Sequence, residues 1–455
     1  MNSRWKTLAL ALLYPLSLSG TACVSERAGY DDVRRTTAAR LQKDVRWHAV
    51  DAQGSSSART RELLARPLDA ESAVQVALLN NAGLQAGFED LGEARAELVA
   101  ALALPNPTVD ASLRFHGEGP ASIELHALES ISGLLLVPAK NGAASRSFDA
   151  ARAGVVGKIL DLALEVKLAF YAYQAAAERL ELERQVLGAT RAAFDMAQRL
   201  HDAGNVTELA LASEQAFYEE SRVAFARAEA ETASQREALT ALLGVGHAAA
   251  WRAEQRLPQA APVDELLQDF ERRALVKSLD LEIVRLRYEA AAKKANVARF
   301  EGIVPELSAG VAAEREGTEW SVGPAVALEI PIFDQGQAEV DAALSEMRRE
   351  RKLHTETATR LRGTTRALAA RLRAAAESAE FYRLTLLPLR ARIVEQMGLE
   401  VNVMNAGLFQ LLQSKRELVQ ASQAYVELLL EYWSERARAE QLLLGRQPRG
   451  VATSE

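Results

Sequence analysis

Apolar and polar residues alternate one for one in four short stretches of this chain, and elsewhere they follow a helical beat. In Thr108–Phe115, Val109, Ala111, Leu113 and Phe115 fall on one side and Thr108, Asp110, Ser112 and Arg114 on the other. In Ser122–Ala127, Ile123, Leu125 and Ala127 oppose Ser122, Glu124 and His126. The alternation returns later in the chain. Leu307, Ala309, Val311 and Ala313 oppose Ser308, Gly310, Ala312 and Glu314. Between Trp320 and Ile330, Trp320, Val322, Val326, Leu328 and Ile330 oppose Ser321, Gly323, Ala325, Ala327 and Glu329. A period of two belongs to strands, so the pattern predicts two strand pairs. Gly117, Gly119 and Pro120 mark the first turn. Pro324 must cost its strand one ladder bond or mark a bulge.

The rest reads as helix. Asp69 and Pro105 bracket a first helix as N-cap and stop. A second is predicted from about Ala143 to Leu200, roughly 58 residues or ~87 Å at the helical rise. Its apolar positions Ile159, Leu162, Val166, Ala169, Tyr173, Ala176 and Leu180 step alternately by three and four, the seam of a supercoil. Another long helix is predicted from about Ala338 to Met404, weakened or kinked at Pro388. A return helix after Gly407 carries Leu411, Leu418, Ala421, Tyr425, Leu428 and Tyr432 on a similar seam.

These elements come in the same order twice. Helix, proline, strands, long helix, Ala-Gly turn, helix and Leu-Leu-Gly run from Leu68 to Gly244 and again from Val263 to Gly445. Pro105 answers to Pro305, Ala203-Gly204 to Ala406-Gly407, and Leu242-Leu243-Gly244 to Leu443-Leu444-Gly445. The displacement of roughly 200 residues is far longer than a solenoid period. The expected organisation is therefore repeat 1 over 67–250, with its strand pair at about 106–137, and repeat 2 over 263–445, with its strand pair at about 305–333. A linker spans 251–262 and a tail 446–455.

The N-terminus changes the picture. Arg4 and Lys6, an apolar run from Leu8 to Leu18, and small residues Gly20, Thr21 and Ala22 read as a signal peptide over 1–22. The run is about half the ~20 residues of a membrane-spanning helix, and no other stretch reaches that length. The single cysteine, Cys23, follows the cleavage site. That placement resembles a bacterial lipoprotein lipobox, with Gly20 where Leu is usual, and implies acylation (palmitate) at Cys23. Val24 in place of Asp after the cysteine fits outer-membrane sorting. Residues 23–66 are polar, carry Gly54-Ser55-Ser56-Ser57, and read as an acylated tether.

The net charge is −7 and becomes −9 once the two cations of the signal are removed. With no long Lys/Arg run, the chain has no general attraction for nucleic acid. The six histidines His48, His116, His126, His201, His247 and His354 are scattered, none at metal-ligand spacing. No phosphate loop or nucleophile elbow is present. The composition therefore points away from an enzyme, and no cofactor is expected.

Alternating strands also suit a soluble sheet, but these helices are too long to cover one, and their apolar stripes face each other. In lipid, only helices and closed barrels satisfy the backbone. Four strands cannot close a barrel, since the smallest outer-membrane barrels need about eight. Three chains pooling four strands each would give twelve. Asp110, Arg114, Glu124, Glu314 and Glu329 would then face a wet lumen and the apolar strand faces lipid.

Several stretches, in order and spacing, resemble the TolC family of outer-membrane efflux proteins over nearly all of the mature length. They are Ala77-Leu78-Leu79-Asn80-Asn81 with Leu84; Leu104-Pro105-Asn106-Pro107; Ala203-Gly204-Asn205-Val206-Thr207; Gly323 through Asp334; and Asn405-Ala406-Gly407 leading to Leu411-Leu412. The resemblance implies a mainly α chain with a membrane β-barrel. A homotrimer would pool its strands into twelve, continued by a long α-helical coiled-coil barrel through the periplasm. It implies a passive duct in the bacterial outer membrane, joined by a periplasmic adaptor (a membrane fusion protein) to an inner-membrane pump, often proton-driven and of the RND type. The lipoprotein members include drug and heavy-metal efflux subgroups.

The family's adaptor-contact tips match Ala203, Gly204, Asn205, Val206 and Thr207, and Ala406, Gly407, Leu408 and Phe409. Acidic gate residues of some members match Gln410 and Gln413, which would act by hydrogen bonding and packing in place of charge. Two other readings keep part of this pattern. One is an outer-membrane duct for type I protein secretion; the other is a periplasmic adaptor or structural coiled-coil lipoprotein, which would carry one helical hairpin where this chain has two.

Overall fold

The structure, a computed structural model, describes residues 29–47, 58–115, 121–246, 250–304, 306–330, 332–403 and 405–449. The signal peptide, Cys23 and the Gly54–Ser57 run lie outside them. In chain order the helices and strands are α1 (Tyr30–Leu41), α2 (Ala58–Leu64), α3 (Ala70–Asn80), α4 (Ala82–Leu102), β1 (Thr108–Arg114), β2 (Ser122–Ser130), α5 (Ile131–Asp202), α6 (Glu208–Leu243), α7 (Asp264–Leu267), α8 (Phe270–Lys277), α9 (Leu279–Ile303), β3 (Leu307–Glu316), β4 (Glu319–Leu328), α10 (Gln337–Phe381), α11 (Leu387–Asn402) and α12 (Leu408–Leu444). The chain is thus mainly α-helical with one small antiparallel sheet. Its described residues form two compact units, one within 29–31, 89–152 and 286–351, the other within 32–88, 153–285 and 352–449.

The first unit holds the sheet, in the order β1-β2-β3-β4 with every pair antiparallel. Pro324 lies on edge strand β4 opposite Val311, and the register runs unbroken from Leu307↔Leu328 to Glu316↔Glu319. There is no bulge, because an edge strand tolerates the missing donor. A Cβ on Gly310 would overlap the carbonyl oxygen of Ala127 on β2, so only glycine lets the two backbones approach here.

The strand pair expected over about 106–137 ends sooner, at Ser130, and the helix expected from Ala143 starts at Ile131. The cause is a cap: Ser130 Oγ accepts the Gly133 N–H at 3.1 Å. The helix then passes through Pro138, which forgoes one backbone bond without ending it. Ser132 Oγ accepts the Leu307 N–H at 3.2 Å, tying the start of α5 to β3. Lys140–Glu301 at 2.9 Å and Arg146–Glu289 at 3.3 Å pair α5 with α9.

The second unit is helical. The helix expected to run unbroken from Asp69 breaks at Asn81, whose backbone is extended. Asn81 Oδ1 caps α4 by accepting the Leu84 N–H at 3.0 Å, and its amide donates to Leu242 O at 2.9 Å. Gly244, with φ +66°, lies against this break, and a Cβ there would come within 2.5 Å of Asn80 O. A like-built joint occurs at Ser278: its Oγ accepts the Leu281 N–H at 3.1 Å, and Gly445, φ +99°, packs so closely that a Cβ would overlap Lys277 O. The Leu-Leu-Gly triplets therefore end α6 and α12 in left-handed caps.

Residues 23–66 are not simply a flexible tether. Val33, Val45, Thr37 and Thr60 are buried. Arg40 donates to Lys277 O at 3.0 Å and also to Leu444 O, capping both helix ends of the Ser278 joint. Asp44 and Gln75 exchange two bonds, at 3.2 and 2.8 Å. Polar composition misled here, because these side chains and backbone groups find distant partners. The linker 251–262 is likewise fastened. Trp251 is buried, its Nε1 donates to Thr240 Oγ1 at 3.1 Å, and Gln174 Nε2 donates to Glu254 O and Arg256 O.

Of the expected seam on α5, Ile159, Leu162, Val166, Tyr173 and Ala176 are buried. On α12 the expected Ala421 and Tyr432 are buried, while between them Val426 and Leu429 are buried one residue beyond the expected Tyr425 and Leu428. Tyr432, fully buried, packs with Leu361, Leu368, Leu372, Leu442 and Leu443 in one apolar cluster. The kink expected at Pro388 takes a particular form. Residues Tyr382–Leu386 make one π-helical turn between α10 and α11, with the Leu387 N–H reaching Tyr382 O. The wide turn absorbs the strain of a ring that cannot donate.

Arg446, expected in a loose tail, sits in a buried ion cluster. Its Nε and Nη2 donate to the two oxygens of Asp161 at 3.0 and 2.8 Å, and its Nη1 to Asp280. Gln441 Nε2 adds a bond to Asp161 at 3.2 Å, and the Gln447 N–H one to Asp280 at 2.7 Å. A second cluster joins Glu71 to Lys167 at 2.6 Å and to Lys43 at 2.9 Å, with Glu440 3.3 Å from Lys167. Burial pushes the Glu71 carboxyl up, but the two ammonium groups outweigh it and hold it below the usual carboxylate range. The phenol of Tyr171 beside them is pushed by burial to about 12.

Candidate functional site: a two-faced sheet and two helical tips

Cross-strand pairing carries the alternation of each strand across the whole sheet. Val109, Ala127 and Val311 stand in one row, Ala111, Leu125 and Ala313 in the next, and Val322 and Val326 continue the same face on β4. On the opposite face Asp110, Arg114, Glu124 and Glu314 share a surface with small residues such as Gly310, Ala312, Gly323 and Ala325. Glu329 follows the end of β4, its N–H donating to Glu306 O at 2.9 Å. Arg114 pairs with Glu124 at 2.9 Å, Ser112 Oγ donates to the same carboxylate oxygen at 3.0 Å, and Glu314 faces Glu124 across the strands.

Much of each face lies open among the described residues. Strand β1 is exposed throughout, and Val109, Val322 and Val326 remain 71%, 66% and 69% accessible. An apolar sheet face of this extent, rimmed by polar residues, calls for a partner or a membrane. Both edge strands also present unpaired backbone groups.

The first tip, residues 203–207, joins α5 to α6. Gly204 takes φ +77°, its N–H donates to His201 O and the Asn205 N–H to Leu200 O, both at 2.8 Å. That closes α5 in a Schellman cap. Thr207 then caps α6, its hydroxyl accepting the Ala210 N–H at 3.2 Å. Ala203, Gly204, Asn205 and Thr207 are exposed, and Val206 is half-buried.

The second tip joins α11 to α12. The Asn405 and Ala406 N–H groups both reach Glu400 O, and Asn405 Nδ2 donates to the Glu400 carboxylate at 2.8 Å. Gly407 precedes α12, and Phe409 is 71% exposed. Gln410 folds back to accept the Gly407 N–H at 3.1 Å, the one half of a capping box that glycine at the N-cap still allows. Gln413 donates to Glu417 at 3.0 Å, and Glu417 pairs with Arg390 of α11. Both glutamines thus fasten the start of α12.

Sequence periodicity gave no sign of how the two hairpins touch. Arg416 of α12 lies over the ring of Phe217 on α6, 4.5 Å from its centre, and approaches Glu220 at 3.5 Å. One turn nearer the tip, Glu214 of α6 is almost fully buried, and one of its carboxylate oxygens has no hydrogen-bond partner. Burial raises its pKa, with Lys415 and Arg416 of α12 pulling the other way. A raised folded-state value means that stability falls as pH climbs from the ordinary carboxylate value through the raised one. Glu214→Gln is therefore expected to raise the thermal midpoint at pH 7.5 and not at pH 4. Melting followed by circular dichroism at both pH values checks this, and an equal change at both would remove the assignment.

Among the described residues no group of three or more His, Cys, Asp or Glu is arranged to hold a metal ion, and no helix is long and apolar enough to cross a membrane. The latter says nothing about a β-barrel.

Comparison with known proteins shows where else this geometry occurs. The family described as "Outer membrane efflux protein" matches residues 138–245, which span most of α5, the first tip and α6. The cobalt-zinc-cadmium resistance protein CzcC of Cupriavidus metallidurans is 25% identical over 378 residues, covering 80% of this chain and 87% of that protein. The outer membrane protein VceC of Vibrio cholerae shares the fold at a TM-score of 0.69 and 15% identity, over 83% of this chain and 96% of its own. A membrane protein from Pseudomonas aeruginosa does so at 0.69 and 17%, over 89% and 97%. Four two-faced strands, two long helical hairpins with glycine-turned tips, and these matches together give the chain the fold of outer-membrane efflux channels, with that family's own pattern present over 138–245.

Proposed function

We propose that the chain is the outer-membrane subunit of a tripartite efflux system, a homotrimer whose twelve pooled strands close a barrel. The observation that carries this is the bare apolar face of an open four-stranded sheet, since lipid is the solvent that makes such a face stable. Three copies would pair β4 of one chain with β1 of the next and leave no free edge. Asp110, Arg114, Glu124, Glu314 and Glu329 would then line a polar lumen. The α-helices would pool into a duct through the periplasm, and acylated Cys23 would add a lipid anchor. The matched joints at Asn81/Gly244 and Ser278/Gly445 support descent from a duplicated half.

The tips at Ala203–Thr207 and Ala406–Phe409 would seat a periplasmic adaptor, which would couple the duct to an inner-membrane pump of the RND type. Exposed Phe409 and half-buried Val206 offer the apolar contact such a helical partner needs. Kinship with a cobalt-zinc-cadmium resistance protein favours divalent metal ions as cargo over secreted protein.

The purified mature protein is expected to run as a heat-resistant three-chain species in detergent and to conduct in planar bilayers. A water-soluble monomer would defeat the proposal. Loss of the gene is expected to sensitise cells to cobalt, zinc or cadmium; unchanged metal tolerance with lost protein export would shift the cargo to polypeptide. Gln410 and Gln413 act as the resting gate in this reading, which is supported by their place at the start of α12, where each makes a hydrogen bond that stiffens its first turns. A Gln410→Ala/Gln413→Ala double variant is expected to conduct more than the parent. Equal single-channel conductance would remove both from the gate.

A further inference from the structure

The apolar face of the sheet carries one cation among its described residues, Arg315. It stands opposite Trp320 in the β3–β4 register and beside Ile123 of β2. It lies two residues before Gly317, in the Glu316–Glu319 hairpin, at the end of the sheet away from the Ser130–Ile131 junction with α5. The Arg315 Nε donates to Gly317 O at 3.1 Å, and its guanidinium carbon lies 5.9 Å from the centre of the Trp320 ring. Among the described residues no carboxylate pairs with it. Glu316 and Glu319 face each other on the opposite side.

This placement has a physical reading that rests on the barrel proposed above. From Leu307 to Arg315 the strand climbs ~27 Å at ~3.4 Å per residue, or roughly 20 Å of height at a ~40° tilt. That nearly spans the apolar band of an outer-membrane barrel, so Arg315 and Trp320 fall at its outer rim. A lipid-facing charge is costly at mid-membrane and tolerated at the rim, where tryptophan also gathers. The Nε bond and the Trp320 ring fix the guanidinium plane, leaving both Nη groups as a fork suited to two oxygens of one phosphate.

We propose that Arg315, braced by Trp320, docks the phosphate of an anionic lipid in the membrane leaflet at the hairpin end. The exposed valines below it, Val322 and Val326, would lie along the acyl chains of the same molecule. A lipid therefore fits better than a free anion, because one ligand satisfies both the charge and the apolar face.

The test uses the full mature protein in neutral detergent, titrated with phosphatidylglycerol or with a phosphate-free glycosyl diacylglycerol, and counts bound lipids by native mass spectrometry. The trimer is expected to keep phosphatidylglycerol preferentially, Arg315→Gln to hold it about tenfold more weakly, and Arg315→Lys to fall between. Inorganic phosphate is expected not to displace it; displacement would make this an anion site and overturn the lipid assignment. An inserted, conducting trimer that holds phosphatidylglycerol equally well with Arg315→Gln overturns the site and leaves the channel reading standing. A chain that neither trimerises nor enters vesicles overturns both.

Discussion

Arg446→Ala is expected to destabilise the helical unit by about 3–5 kcal/mol, the range for removing one partner of a buried ion cluster. The loss is large because of what stays behind. Asp161, with 9% of its side chain accessible, would keep its charge with no cation in its bidentate site, since the remaining Arg449 contact is largely exposed. Asp280, 15% accessible, would lose its partner as well. Chemical denaturation of the detergent-solubilised protein checks this through the shift of the midpoint. Adding Asp161→Asn and Asp280→Asn to Arg446→Ala should recover much of the loss, because the orphaned charges go with them. A midpoint unmoved by Arg446→Ala would show that the cluster contributes nothing.

Gly310→Val is expected to abolish the proposed heat-resistant trimer, with its yield falling more than about tenfold. Overpacking against side chains costs ~1–3 kcal/mol, and here the new atoms meet the Ala127 carbonyl, which cannot rotate away. Strand β2 must shift, and its pairing with β3 runs from Ser122↔Glu316 to Ser130↔Ser308. Gly323→Val is the matched control. It lies on the same face, and a Cβ there meets nothing within 4 Å. Trimer yield on gels run without boiling separates the two variants. Equal yields would show that the close approach at Gly310 is relaxed by the partner chains.

What the sequence made legible was whatever repeats locally. Alternation located β1, β2, β3 and β4 to within a few residues, because apolar and polar side chains take opposite faces of each strand. The tips were readable because a left-handed turn needs Gly204 and a short polar cap such as Thr207. Illegible features depend on partners far along the chain. Arg446 meets Asp161 across 285 residues, and Arg40 meets Lys277 across 237, so neither leaves a periodic trace. Hence residues 23–66 and 446–455 read as polar ends when parts of both are fastened into the core. The start of α5 was hidden for a different reason: the deciding bond from Gly133 to Ser130 occupies one turn and leaves no periodic trace. The gate positions were placed by resemblance alone, and the capping role of Gln410 came from geometry.

The π turn at Tyr382–Leu386 holds one residue more than α-helical winding requires, and each residue is worth about 100° of rotation. Up to that turn, Leu361, Leu368 and Ala375 keep a buried position every seventh residue. Beyond it the count restarts, so the distal leg reads in a shifted frame, and Leu389, two heptads after Ala375, lies 47% exposed while Arg390 meets Glu417. Deleting a single residue from the turn would restore α-helical winding and spin the far end by more than a quarter revolution, unhooking that pair. The length of this one turn, more than any side chain on the distal leg, dictates which way the end of the rod looks.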